Sequence, residues 1–415
     1  MEIGGMKADV LAKQYGTPLA VYDENRLRDR LREFTEYFRS GSFETTVIYA
    51  SKAFNCKEMI RLISDYGCSL DVVSGGELYT AVSAGYDCAK VFFHGNNKTP
   101  AEIRMALEAG VGTIVIDNPM EAAELVKQIH GTDHKVNVFL RVNPGIEAHT
   151  HKYIVTAHVD SKFGFSLVDK EEIFETVKML KAEENIDVEG LHAHIGSQIF
   201  EDKAYEELIR KMFAFAHELK NIAEIRSVNL GGGFAAYYTA ADKRISVRSI
   251  CRTILETCEE ENEEIDGQIK RILIEPGRSI VAEAGYNLYT VGWIKKTPNR
   301  LYAFVDGGMS DNIRPALYQA KYDAVIAGKE YLPTIHTYTI AGKCCESGDI
   351  LIDSIDLPEV KTGDILVMKT TGAYGYSMAS HYNKQALPAV VFVRDGEARE
   401  VIERETYEHM ISLEK

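Results

Sequence analysis

Short apolar runs recur through the first two thirds of the chain, each followed by an amphipathic stretch, and this alternation constrains the fold more than any other feature. The runs are TVIYAS (46–51), SLDVVS (69–74), KVFFHG (90–95), GTIVID (112–117), KVNVFLRVN (135–143), VEGLHAHIG (188–196), IRSVNLGGG (225–233) and RILIEPG (271–277). Between them lie helix-like segments such as CKEMIRLISDYG, GGELYTAVSAG, PAEIRMALEAG and PMEAAELVKQIH. Most end in glycine, which tolerates the left-handed backbone of a helix stop. Eight βα units over about 240 residues predict an α/β architecture, a TIM (β/α)8 barrel. A doubly wound sheet is the alternative, but the glycine-rich turn it usually carries after an early strand is absent, as is a P-loop.

After about residue 285 the texture changes. NLYTVGWIKK, RLYAFVDGG, THTYTIAGK, GDILVMKTTG and PAVVFVRDGE are β-rich and separated by turn residues. The expected division is a barrel over 29–280 and an all-β C-terminal domain over 281–415, with residues 1–28 returning to it. A formal net charge of -15 argues against nucleic acid and anionic membranes, both of which favour a basic face. The seven cysteines are odd in number and form no C-x-x-C pair, which favours a reduced cytoplasmic setting over a disulfide framework. We expect no signal peptide and no membrane span, because no apolar run approaches the roughly 18 residues a span needs.

The C-terminal ends of barrel strands form the floor on which such folds do chemistry. The first strand ends in Lys52, the second carries Asp71 and the third ends in His94. The fifth holds Arg141, and the sixth holds His192 and His194. The seventh runs into Gly231, Gly232 and Gly233, and the eighth ends in Glu275, Pro276, Gly277 and Arg278. Taken singly, a lysine after a strand is a solvated loop charge, an aspartate a helix cap and a glycine run a turn. Their convergence on one rim is what points to a site.

The set fits pyridoxal phosphate. That cofactor needs a lysine amine for its aldehyde, a carboxylate to keep its pyridine nitrogen protonated, and close backbone N–H groups for its phosphate. It also gains from a flat side chain against its ring. Lys52, Glu275, Gly231–Gly233 and His194 supply these in turn. A metal site is the alternative, since His192-Ala193-His194 places two rings on one strand face and His149 and His151 could add ligands. Barrel-type metal hydrolases carry such a pair on the first strand, where this chain offers lysine, so no metal is expected.

The motifs YASKAFN, LDVVSGGEL, HGNNKT, RVNPGIEAHTHKYIVT, DSKFGF, HAHIGSQI, NLGGGF, EPGRSIV, DGGMSDNIRPALY, CCESGDIL and GAYGYSMASHYN resemble, in order and spacing, those of the fold-type III pyridoxal-phosphate decarboxylases, the alanine-racemase-like group. The resemblance covers nearly the whole chain. It implies decarboxylation of meso-2,6-diaminopimelate to L-lysine, the last step of lysine biosynthesis. Ornithine, arginine, carboxynorspermidine and D-ornithine/D-lysine decarboxylation are the alternatives within the group.

Carried over by matched position, Lys52 would hold the cofactor covalently, with Asp71 near it. His194 would stack on the ring and Ser197 would help bind the phosphate. Gly231, Gly232, Gly233, Gly277 and Arg278 would frame the phosphate end, and Glu275 would pair with the pyridinium. Arg278, Arg314 and Tyr318 would hold the distal part of the substrate, chiefly its second carboxylate, with Glu346 taking the distal ammonium. Tyr374 would touch cofactor and substrate. The group is dimeric with shared sites, so Cys345 and Glu346 would arrive from a partner subunit, and Cys345 or Lys52 would return a proton to carbon. Cys344 reads instead as a small core residue. The chain departs from the common pattern at Lys384, where KQALP replaces a Ser-Arg-Pro-like run, and at Ala193, where the group can carry cysteine.

Overall fold

The computed structural model describes residues 1–146 and 161–415. The chain divides into two compact units, Leu31–Ala235 with Arg244–Gly277, and Met1–Arg30 with Ala236–Lys243 and Arg278–Lys415.

The first unit is a closed parallel barrel. Its strands are β1 (Glu44–Ala50), β2 (Ser69–Val72), β3 (Val91–Phe93), β4 (Thr113–Ile116), β5 (Val136–Asn143), β6 (Ile186–His192), β7 (Ser227–Asn229) and β8 (Arg271–Ile274). Each pairs in parallel with the next, and β8 returns to β1 with Ile274 opposite Val47. Inside, Ile48, Phe92, Val115, Phe139 and Leu273 form a buried apolar cluster. Phe92 and Phe139 meet edge to face, with centroids 5.7 Å apart. A β-carbon at Gly190 would lie 2.7 Å from the Phe139 ring, so glycine in β6 is what lets that ring fill the lumen. Each such side chain contributes about 1.5–3 kcal/mol of burial, and together they make the barrel a packed core.

The outer helices begin and end where side-chain chemistry dictates. Thr99 and Glu102 form a reciprocal capping box ahead of Pro100–Glu108, and Asn118 caps Pro119–Ile129. Gly67, Gly85, Gly110 and Gly131 follow four of these helices at φ between +68° and +76°, with open space where a β-carbon would sit. Backbone conformation, not crowding, selects glycine at these stops. No described helix is long and apolar enough to cross a membrane.

The second unit is β-rich. The strand Leu19–Asp23 lies between Gly285–Lys296, antiparallel to it, and Ala389–Arg394, parallel to it. The N-terminal segment therefore enters this sheet through its centre. Ile3, Leu11, Leu19, Val21, Leu288, Val367 and Val391 belong to the buried cluster beneath it.

Candidate active site

In the barrel unit the polar ring follows from the period of a strand. Phe92, Val115, Phe139 and Leu273 belong to the apolar layer, and two residues further on stand His94, Asp117, Arg141 and Glu275. The same step takes Gly190 to His192 and Ser227 to Asn229. The chain therefore lifts a layer of chemistry directly onto its hydrophobic plug.

Glu275 is the centre of that layer and is 6 % exposed. The Asn229 amide donates to its Oε1 at 2.7 Å, and His94 Nε2 lies 2.9 Å from the same oxygen. His192 Nε2 is 3.1 Å from Oε2. Burial alone would raise the Glu275 pKa, but the two imidazoles outweigh it and hold the carboxyl well below its usual range. His192 is pushed down to about 4, chiefly by burial, so it is neutral at physiological pH and gives Glu275 its Nε2 proton. Its Nδ1 is buried with no partner among the described residues, as the bare nitrogen of that tautomer. Asp71 moves the other way. Burial raises its pKa, Glu275 adds to the rise, and His94, Lys52 and Arg141 oppose it. The two buried carboxyls are thus separated into one held ionised and one that takes a proton more readily.

Lys52 sits in the single turn Ser51–Ala53 that ends β1, and its side chain is exposed. Glu77 fixes the turn, accepting Ser51 Oγ at 3.0 Å and the Val73 N–H at 2.8 Å on one oxygen. His194 is half-buried, and its Nδ1 accepts the Gly232 N–H at 3.2 Å. Burial first, then the charges of Lys52 and Arg141, push its pKa well below the ordinary value, so the ring is neutral and carries its proton on Nε2. Ser197 is half-buried in the loop after β6. Arg141 lies with its guanidinium carbon 4.5 Å from the Phe163 ring centre and Nε 4.0 Å from Asp117.

The glycines are required by packing. A β-carbon at Gly231 would fall 2.4 Å from Ala193 O, at Gly232 2.3 Å from Glu275 O, and at Gly233 2.8 Å from Gly196 O. At Gly277 it would fall 2.9 Å from the Ala50 side chain. Two loop amides are also engaged inside the barrel, Gly231 N–H with Asn229 Oδ1 and Gly232 N–H with His194.

His192 and His194 do not work as a pair. His192 turns to Glu275, and His194 turns to Gly232. Among the described residues the ligand-type atoms of His94, His192 and Glu275 do lie within 4.8 Å of one another, and His192 Nε2 is already hydrogen-bonded to the carboxylate. His149 and His151 lie outside the described residues.

The β-rich unit holds a second polar cluster, built from guanidinium and phenol groups. Arg278 opens the short helix Arg278–Val281, and Arg314 opens Arg314–Tyr318. Arg314 is 5 % exposed. Its Nη1 donates to Tyr238 Oη at 2.9 Å and to Tyr322 Oη at 3.0 Å, and Arg278 Nη1 donates to the same Tyr238 oxygen at 2.7 Å. The Arg314 Nε is buried and has no partner among the described residues. Tyr318 and Tyr374 close the cluster, their ring centres 6.0 and 5.9 Å from the Arg314 guanidinium carbon. Tyr374 lies 4.7 Å from that of Arg278 and has φ +59°, a strained backbone for a residue with a side chain. Burial pushes Tyr322 up to about 12. Burial acts the same way on Tyr238, but Arg278 and Arg314 overcome it and hold that phenol below its ordinary value.

In the loop that follows, Cys344 is buried and gives its N–H to Asp349 at 2.8 Å. Cys345 and Glu346 are exposed, and the Cys345 N–H is held by Asn383 Oδ1 at 2.6 Å. Asn383 and Lys384 have φ +52° and +54°, so the chain takes a left-handed turn where its sequence leaves the group's pattern.

Asn229, Tyr238 and Tyr322 were not singled out from sequence. Asn229 was open to detection, because it stands one strand period before Gly231 in the inward row. The tyrosines reach Arg314 from 76 and 8 residues away, with no periodic signal.

Comparison with known proteins agrees with this chemistry. Residues 24–282 match the pyridoxal-dependent decarboxylase, pyridoxal binding domain family. Diaminopimelate decarboxylase of Bacillus subtilis is 49% identical over 417 aligned residues, covering 100% of this chain and 95% of that protein. Its counterpart in Halalkalibacterium halodurans is 46% identical, with the same coverage of 100% and 95%. The crystal structure of diaminopimelate decarboxylase from M. jannaschii in complex with L-lysine superposes with a TM-score of 0.92 at 34% identity, covering 99% of this chain and 95% of that one.

Proposed function

The chain belongs to the diaminopimelate decarboxylase family of pyridoxal-dependent decarboxylases, and from that premise we propose that it removes one carboxyl group of meso-2,6-diaminopimelate as carbon dioxide and leaves L-lysine. The observation that carries the choice of substrate is Arg314, a buried cation whose Nε has no partner among the described residues. An amino acid with a second carboxylate completes it. A simple diamino acid brings an ammonium and leaves it unmet.

The barrel residues fit pyridoxal phosphate, judged by the donors around Glu275. A carboxylate offers about four lone-pair sites; His192 and Asn229 take two of them, and His94 Nε2 stands 2.9 Å from Oε1 without hydrogen-bond geometry. Capacity remains for a protonated ring nitrogen. When bound, the cofactor supplies an aldehyde that captures an amine and a ring that accepts the electron pair left by carbon dioxide.

Lys52 is the amine that holds the cofactor between turnovers, and Asp71 is the acid beside it. Glu275, ionised at any working pH, holds a proton on the ring nitrogen and so strengthens electron withdrawal where charge develops. His194 offers a flat neutral face, fixed in rotation by Gly232. Ser197, Gly233, Gly277 and Arg278 serve the phosphate end. Gly231 and Gly232 act mainly by shape, because their amides are engaged elsewhere. In the β-rich unit Arg314, Arg278, Tyr318 and Tyr374 hold the substrate. Cys345 or Lys52 returns the proton to carbon, and Glu346 takes the distal ammonium.

We further propose a homodimer, with Cys345 and Glu346 serving the partner's site. Their exposure on an otherwise tied loop supports this. All seven cysteines are free thiols, which suits a reducing cytoplasm. The test is an assay of the purified protein with pyridoxal phosphate on meso-diaminopimelate, L-ornithine, L-arginine and D-lysine, with the amine product identified. L-lysine from diaminopimelate alone is the expected result. Turnover of a simple diamino acid instead would overturn the roles given to Arg314 and Glu346.

A further inference from the structure

A phenol oxygen has two lone pairs and one proton. In Tyr238 both lone pairs are taken, one by Arg278 Nη1 at 2.7 Å and one by Arg314 Nη1 at 2.9 Å. The hydroxyl proton is thereby directed away from both guanidiniums, and no described residue accepts it. Tyr238 is 8 % exposed, so water is a poor substitute. Beside it, Arg314 keeps a buried Nε–H that likewise has no acceptor among the described residues. Two unmet donors on directly bonded side chains suit a group with two acceptor oxygens.

We propose that Tyr238 is a specificity-determining residue whose hydroxyl donates a hydrogen bond to the substrate's distal carboxylate, beside the Nε–H of Arg314. The proposal rests on the substrate reading above and adds a residue to it. Two cationic donors on one phenol oxygen polarise its O–H bond and make it a stronger donor than an isolated tyrosine. The depressed pKa of Tyr238 reflects the same polarisation. Tyr322 accepts one Arg314 N–H at 3.0 Å and is also bonded by the Asn312 side chain, and it serves as the control.

The test uses the holoenzyme of Tyr238→Phe, which removes one oxygen and keeps the ring. KM for meso-diaminopimelate is expected to rise roughly 10- to 100-fold, the range for a hydrogen bond to a charged group, with kcat within about threefold. Two inhibitors separate recognition from general damage. L-lysine keeps the distal carboxylate and 1,5-diaminopentane lacks it. Tyr238→Phe should weaken inhibition by L-lysine and leave that by 1,5-diaminopentane unchanged, while Tyr322→Phe should shift L-lysine less. Equal weakening of both inhibitors, or an unchanged KM, overturns the proposal. If Tyr238→Phe does not fold, 3-fluorotyrosine placed at 238 supplies a stronger donor of nearly the same shape. Followed against pH, it should tighten L-lysine alone while the phenol is protonated and weaken it as the phenol ionises, and a profile identical to wild type would count against the proposal. Wild-type protein that releases no carbon dioxide from meso-diaminopimelate instead refutes the underlying substrate reading, before any variant is made.

Discussion

Lys98 in the barrel unit and Arg314 in the β-rich unit are both buried cations, and their surroundings are opposite in kind. Lys98 donates to Gly95 O at 2.8 Å and Val115 O at 2.7 Å, and Glu121 Oε1 stands 2.6 Å away as its counter-charge. Its charge is complete, and it pins the loops after β3 and β4. Arg314 is at least as buried, yet among the described residues its hydrogen-bond partners are phenols and its Nε has none. Burying an unpaired charge is costly, so such an arrangement persists where a ligand supplies the missing anion. The difference teaches that burial of a charge does not mark function, whereas an incomplete set of partners does.

The contrast can be broken from either side. The largest effect is expected at Lys52, which is exposed at the barrel rim. Lys52→Ala should lower kcat/KM by at least about 10,000-fold, as loss of a covalent-catalysis residue does, while melting within about 0.5 kcal/mol of wild type. Steady-state kinetics and a thermal melt decide this, and substantial residual turnover would remove Lys52 from its role. At Lys98 the order reverses. Lys98→Met leaves Glu121 buried without its cation and should cost about 3–5 kcal/mol of stability in a denaturant titration. A variant of unchanged stability would show that the complete cation is not structural. Asn229 sharpens the comparison within the barrel. Asn229→Ala removes one donor from ionised Glu275 and the anchor of the Gly231 amide, and kcat should fall roughly 10- to 100-fold. A raised KM at constant kcat would instead assign Asn229 to substrate binding.

The barrel was legible in the sequence because its evidence is local and repeated. Strand period, helix period and glycine stops agree unit after unit, so the eight strands lie where the apolar runs place them. The polar ring was legible for the same reason, since an inward residue is followed two positions later by another. What the ring does to its members was not legible. That His192 serves Glu275 while His194 takes the Gly232 backbone N–H depends on contacts between segments 83 and 38 residues apart. The phenol cage of Arg314 was hidden more deeply. Tyr238 follows a glycine loop and Tyr322 follows a short helix, and neither segment has a period that aims a side chain. Only the tertiary fold brings their hydroxyls to one guanidinium.

The central claim is that the barrel unit supplies the electron sink while the β-rich unit chooses the substrate. Measuring kcat and KM for meso-diaminopimelate with Glu275→Gln and Arg314→Ala in parallel tests it most directly. Glu275→Gln should lower kcat roughly 100- to 1,000-fold with KM within a few fold, because it weakens charge stabilisation during bond breaking. Arg314→Ala should lower kcat/KM by about 2–5 kcal/mol, carried mainly by KM, because it removes the partner of the distal carboxylate. Arg314→Ala with wild-type KM, or both variants losing kcat alone, would contradict the account.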